Sequence, residues 1–260
     1  MASTRLTSTP SDIAEALEAV NHRIAEAAAR SGRTRDDVLL VAVTKYAAPD
    51  QIQKLVQLGQ IDLGEGKVQQ LDQRASQLNE YLSRARSFGA AGGKVPEQVR
   101  WHLIGQLQRN KVKQAAPLVG LIHSVDSLRL AEELNNYAVR RDRTIDILLQ
   151  VNTSGEANKA GVTPPAAPHL CEQIDSMVHL RVRGLMTMAP HSDDPEDARP
   201  TFARCAELFR EIRADEVVEE GFNILSMGMS GDFEVAIEEG ANLVRVGRAL
   251  FGEPEQPAAD

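Results

Sequence analysis

Eight short apolar runs recur along this 260-residue chain, at 38–45, 61–65, 101–105, 121–126, 146–152, 182–188, 223–229 and 242–250. Each is rich in Val, Ile and Leu, and helical spacing fills most of the intervals between them. Strict strand–helix alternation requires parallel strands joined by right-handed crossovers, because parallel neighbours need a long connection. Eight such units in about 215 residues fit a closed (β/α)8 barrel of the TIM type. An open doubly wound sheet is the alternative, but no GxGxxG turn follows the first run, where such a sheet carries its pyrophosphate loop.

The helices expected between the runs lie at 50–58, 68–87, 107–116, 127–141, 165–178, 195–213 and 232–239, and 88–98 reads as a Gly-rich loop. Before the first run, residues 12–30 place Ile13, Leu17, Val20 and Ile24 on one face, with Asp12 at the start and Gly32 beyond the end. That is an extra amphipathic helix flanking the barrel. The barrel domain is therefore expected over 12–253, with polar tails at 1–11 and 254–260.

Hydrophobic residues make up 42% of the chain, enough for one large core. The formal charge of −8 argues against a nucleic-acid partner, which requires a basic footprint. No run reaches the ~18 apolar residues that span a bilayer, and the first residues lack a secretory h-region, so neither a membrane nor export is expected. Cys171 and Cys205 are the two cysteines. They have neither CxxC spacing nor nearby His ligands, which argues against a metal site and fits a reducing, cytoplasmic location.

A barrel keeps its chemistry at the carboxyl ends of its strands. The first run, VLLVAVTK, ends in Lys45, with Val41 and Val43 on the same face. An ammonium there is costly unless it is paired, employed chemically or reaches past the strand end into solvent. At the seventh and eighth runs, SMGMSGD and RVGR bring together Ser226, Gly228, Ser230, Gly247 and Arg248 in turns whose N–H and hydroxyl groups can wrap a phosphate. Two ordinary glycine turns are the plainer reading. Arg245 alternates toward the barrel mouth, where it needs an acceptor or a carboxylate such as Glu65. His102 and His123 read as ordinary satisfied histidines that alternate away from these groups. Met186, Met188, Met227 and Met229 read as core filling. A lysine, a phosphate cup and an arginine together suit pyridoxal 5'-phosphate (PLP), the lysine bonding its aldehyde.

The motifs VAVTKY, GEGKVQQ, WHLIGQLQRNK, HSVDS, QVNTSGEANKAGV, GLMTMAP and SMGMSGDFEVAIEEGANLVRVG occur in this order over roughly 210 residues. In them the chain resembles the YggS/PROSC-like pyridoxal-phosphate homeostasis proteins, whose fold is similar to the alanine racemase barrel. The resemblance implies a PLP Schiff base at Lys45 and phosphate-binding turns at 226–230 and 245–248. It also implies a role in controlling free PLP, with apo PLP-dependent enzymes as recipients and a monomer or weak dimer. Gly66, Gly231 and Arg248 depart from the family's usual Asn, polar residue and Ser or Thr. A PLP-dependent racemase of the alanine racemase type is the competing expectation, and a barrel for another phosphorylated metabolite is a third.

Overall fold

The computed structural model describes residues 12–87, 96–156, 159–218 and 221–252. The tails expected at 1–11 and 254–260, and 88–95 of the expected loop, lie outside the described residues.

Eight parallel strands close into a barrel in sequence order, with β8 pairing back onto β1. They are β1 (Leu39–Val43), β2 (Asp62–Glu65), β3 (Arg100–Leu103), β4 (Leu121–Val125), β5 (Ile145–Gln150), β6 (Leu180–Met186), β7 (Ile224–Ser226) and β8 (Leu243–Val246). The helices are α1 (Ile13–Arg30), α2 (Pro49–Gln57), α3 (Val68–Ser87), α4 (Val112–Ala115), α5 (Leu128–Val139), α6 (Ala167–Asp175), α7 (Arg199–Ala214), α8 (Phe233–Glu238) and α9 (Arg248–Phe251). The TIM-barrel expectation is met. Most strands stop one to three residues short of their apolar runs, because the last residues splay out to line the mouth. The eighth run departs furthest, since its end, Arg248–Phe251, forms the short helix α9 instead of strand. The helix expected at 107–116 is a 3-10 turn followed by the single α-turn of α4.

Two apolar layers follow from the alternation. Residues facing outward from the strands pack under the helices in one continuous core, while Val41, Leu121, Leu148, Met186 and Leu243 fill the barrel interior. Each fully buried side chain of this size contributes about 1.5–3 kcal/mol of transfer free energy. Helix α1 adds Val20, Ile24, Ala27 and Ala28 to the outer core and packs across α8, α9 and α2. Its start is capped by Asp12, which accepts the Ala14 N–H at 2.9 Å. Arg23 and Arg30 pair with Glu234 and Glu238 of α8, both at 2.6 Å. The extra helix thus braces the seam where β8 meets β1, under the residues that form the mouth.

Glycines set two close approaches near that mouth. Gly184 of β6 has φ +151°, and a Cβ there would come within 1.7 Å of the Ile224 carbonyl oxygen on β7. Gly228 has φ +89°, and its Cβ would meet Phe233 and Ala236 at 2.7 Å. The β7–α8 turn therefore needs glycine to fold back onto its own helix. No helix of the described residues is long and apolar enough to cross a membrane.

Candidate functional site

Register decides which strand ends meet. Ala42 pairs with Val246, so Lys45 from β1 and Gly247 with Arg248 from β8 leave the sheet side by side. A Cβ on Gly247 would lie 3.1 Å from the Val43 carbonyl oxygen, so this turn sits tight against β1. Between these turns and the β6–α7 connection lies a cavity of about 260 Å³. Lys45, Ser230, Arg245, Gly247 and Arg248 all line it.

Lys45 lies two residues beyond the end of β1 and is exposed, so it escapes the burial that its apolar run suggested. Its ammonium sits 4.5 Å from the centroid of the Tyr46 ring, a cation–π contact at the rim. Among the described residues Lys45 forms no ion pair within 4 Å, although its charge acts on the Glu65 carboxyl nearby, and the amine stands at the wall of the cavity.

Arg245 is the buried counterpart, 3% exposed. Its guanidinium donates to Ser226 Oγ at 2.5 Å and to the Thr187 carbonyl oxygen at 2.9 Å. Burial lowers its pKa to about 10, with Asp232 opposing the shift, so it stays charged at neutral pH. Glu65, the carboxylate suggested as its partner, is engaged elsewhere: Thr44 Oγ1 donates to it at 2.5 Å and Arg74 pairs with it at 3.0 Å. Burial pushes the Glu65 carboxyl above its usual range, and Thr44 and Arg74 counter that shift.

Ser230 ties the two turns together. Its hydroxyl oxygen accepts from the Gly247 N–H at 3.1 Å and the Ala249 N–H at 3.3 Å. The Ser230 hydroxyl and the Gly247 turn at the cavity wall offer donors that suit an oxyanion, and Lys45, Arg245 and Arg248 supply local positive charge on an otherwise acidic chain. The donor set therefore fits a phosphorylated ligand. Asp232 lines the cavity as well. Its carboxylate accepts the Met229 N–H at 2.6 Å, and burial raises its pKa.

Two residues expected to wrap phosphate lie elsewhere. Ser226 has no exposed surface and Gly228 serves the α8 turn, and neither lines the cavity. The Ser226 hydroxyl sits one layer below, under Arg245, because β7 ends at Ser226 itself and the side chain still points into the barrel. His102 and His123 are satisfied as expected, yet they do not lead away from the site. His123 Nδ1 lies 3.0 Å from Ser226 Oγ, His102 Nδ1 lies 3.0 Å from His123 Nε2, and His102 Nε2 lies 3.1 Å from Asp62 Oδ1. The methionines also divide: Met186 and Met227 are core, but Met188 and Met229 are exposed and line the cavity, since both fall past their strand ends. The wall formed by Ala189, Pro190, His191, Ser192 and Asp194 was not singled out from the sequence, because it belongs to a loop with no strand parity to read. The departures at 231 and 248 are neighbours in space. Arg248 Nη2 lies 4.0 Å from the position of a Gly231 Cβ, so the guanidinium stands beside the gap that glycine leaves.

Asp62 anchors the far end of the polar chain. Burial raises its pKa, but hydrogen bonds from His102 and Arg100 outweigh that and hold the carboxyl below its ordinary value. A depressed carboxyl pKa contributes stability at pH values above the unfolded pKa and loses it as pH falls through the folded one. Asp62→Asn is accordingly expected to cost about 1.5–3 kcal/mol at pH 7, with the gap to wild type narrowing below about pH 4. Denaturant midpoints at the two pH values check this.

Residues 15–255 match the family described as alanine racemase, N-terminal domain. The pyridoxal phosphate homeostasis protein of Aquifex aeolicus is 38% identical over 239 residues, covering 92% of this chain and 97% of its own. The protein of that name from Pseudomonas aeruginosa is 36% identical, covering 93% and 96%. The structure of PipY from Synechococcus elongatus with PLP bound superposes with a TM-score of 0.75 at 30% identity, covering 93% of this chain and all of that one. With a matching barrel, a matching family and curated relatives aligned over almost their whole length, this chain belongs to the pyridoxal phosphate homeostasis protein family.

Proposed function

We propose that this protein binds PLP in the mouth cavity and holds it as a carrier that helps set the intracellular supply, passing it to apo PLP-dependent enzymes. Lys45 would hold the cofactor through its aldehyde, which supplies an electrophilic carbon for the lysine amine, and the turns at Ser230 and 247–249 would take its phosphate. Arg245 offers donors only, so a ring nitrogen meeting it is kept unprotonated and withdraws electrons weakly. The observation that carries the reading is the convergence of Lys45, Arg245, Ser230 and Gly247 on one cavity. The likeness to PipY, solved with PLP bound, supports it.

A racemase of the alanine racemase type is the second reading, favoured by the family description and by His191 and Tyr46 at the cavity rim. Carriage is preferred because the curated relatives carry the homeostasis name and because Tyr46, 50% exposed, leaves the rim open to water. Titrating purified protein with PLP should produce the absorbance of a protein-bound imine. Incubation with L- or D-alanine should then give no turnover above that of free PLP. Steady racemisation with a bell-shaped pH profile would promote the second reading.

Arg245→Gln is expected to weaken PLP binding roughly ten- to hundredfold, the effect of one buried charge-assisted hydrogen bond. An unchanged dissociation constant in the same titration would place Arg245 outside the contact.

A further inference from the structure

Arg245 both lines the cavity and ends a buried hydrogen-bonded chain that crosses the barrel interior to Asp62. Only one arrangement of protons satisfies that chain. The guanidinium can only donate, so Ser226 Oγ accepts from it and must place its own single proton elsewhere. Among the described residues the remaining partner of that hydroxyl is His123 Nδ1, at 3.0 Å. Nδ1 therefore accepts, and the proton of His123 sits on Nε2. From there it donates to His102 Nδ1, which leaves His102 Nε2–H to donate to Asp62. At the other end Arg100 clasps Asp62 with two bonds, at 2.7 and 2.6 Å. Every donor from Arg245 onward points toward the carboxylate, and both imidazoles are neutral.

We infer that His123 is a positioning residue for the cofactor site: by accepting the Ser226 proton it turns the hydroxyl's lone pairs to Arg245 and fixes the guanidinium against the cavity. The inference rests on the reading of that cavity as the PLP site. A proton added at His123 Nδ1 would oppose the Ser226 hydroxyl and bring a second positive charge toward Arg245. The groups facing His123 are His102, Ser226 and Arg245, with Asp62 behind His102 and Asp232 and Cys205 around Arg245. The carboxylate that would balance such a charge is therefore one imidazole further away. The chain is built to hold the neutral tautomer, and it has a cost in the barrel interior that apolar packing would avoid. That cost suits a part serving the site above it.

The test compares PLP affinity in wild type, His123→Leu, His123→Asn and Ser226→Ala. Leucine fills the barrel but accepts nothing, whereas the asparagine Oδ1 restores an acceptor near the Nδ1 position. His123→Leu and Ser226→Ala should each weaken binding roughly tenfold, with His123→Asn within about threefold of wild type. A purely structural role reverses the order, since leucine then serves best and asparagine worst, and that order overturns the inference. Nitrogen-15 NMR of the ligand-free protein gives a readout independent of the cofactor: His123 should carry its proton on Nε2 from pH 6 to 8, and a protonated Nδ1 overturns the inference. Ser226→Ala removes only one hydroxyl, so unchanged PLP binding in that variant overturns the inference even if the His123 variants fold poorly. Wild type that takes up no PLP refutes the cavity reading itself, whereas wild type that binds PLP while all three variants bind equally well refutes only the role of His123.

Discussion

Lys45→Ala is expected to abolish the covalent attachment of PLP while leaving the fold intact and the stability of the protein within about 1 kcal/mol of wild type. Both halves follow from position. The side chain lies beyond the end of β1, exposed at the mouth, so its removal opens no cavity in the core. The contact it loses, with the half-exposed Tyr46 ring, is worth about 0.5–1 kcal/mol at most in such a setting. The turns at 226–230 and 247–249 and Arg245 are untouched, so, on the proposed reading, the variant should still take up PLP without a bond, more weakly and with the spectrum of the free aldehyde. Chromophore retained through denaturation would assign the bond to another lysine, such as Lys67. Loss of folding would give Lys45 a structural role that its exposure contradicts.

Gly184→Ala should have the largest effect on the fold, destabilising it by more than about 4 kcal/mol, a large share of the ~5–15 kcal/mol that holds a domain together. The added Cβ would sit 1.7 Å from the Ile224 carbonyl oxygen, and that atom is backbone in the neighbouring strand, so no side-chain rotation relieves the clash. The φ of +151° adds strain for any L side chain. Separation of β6 from β7 would also displace Thr187 and Ser226, which hold Arg245. Gly32→Ala is the control: φ is +73°, but nothing lies within 4 Å of its Cβ, so it should cost only the ~1–2 kcal/mol of the left-handed conformation. Soluble yield and denaturant midpoints separate the two. Equal midpoints would mean that β6 and β7 are not held as closely as the structure shows.

The barrel was legible because its signal repeats: eight apolar runs alternating with helical segments leave few topologies, and α3 matches its expected bounds of 68–87. Strand ends were less legible. An apolar run continues past the last ladder hydrogen bond whenever its final residues line a cavity, as at Lys45, Met188 and Met229. Parity placed Arg245 at the mouth correctly, since that residue is still within β8. It said nothing about which acceptor Arg245 would take, because Ser226 and Glu65 belong to other strands, Thr187 lies just past the end of β6, and register between strands is not written in any one run. The histidines show the same limit. His102 and His123 each look isolated along the chain, and only closure of the sheet aligns them between Asp62 and Ser226.

Reduction of the PLP-loaded protein with borohydride, followed by proteolysis and mass mapping of the peptides, tests the central claim most directly. The imine becomes a stable secondary amine, so the label records which nitrogen held the cofactor. A phosphopyridoxyl group confined to the peptide carrying Lys45 is the predicted result. A label on other lysines with Lys45 unmodified, or no label after saturating PLP, would contradict it.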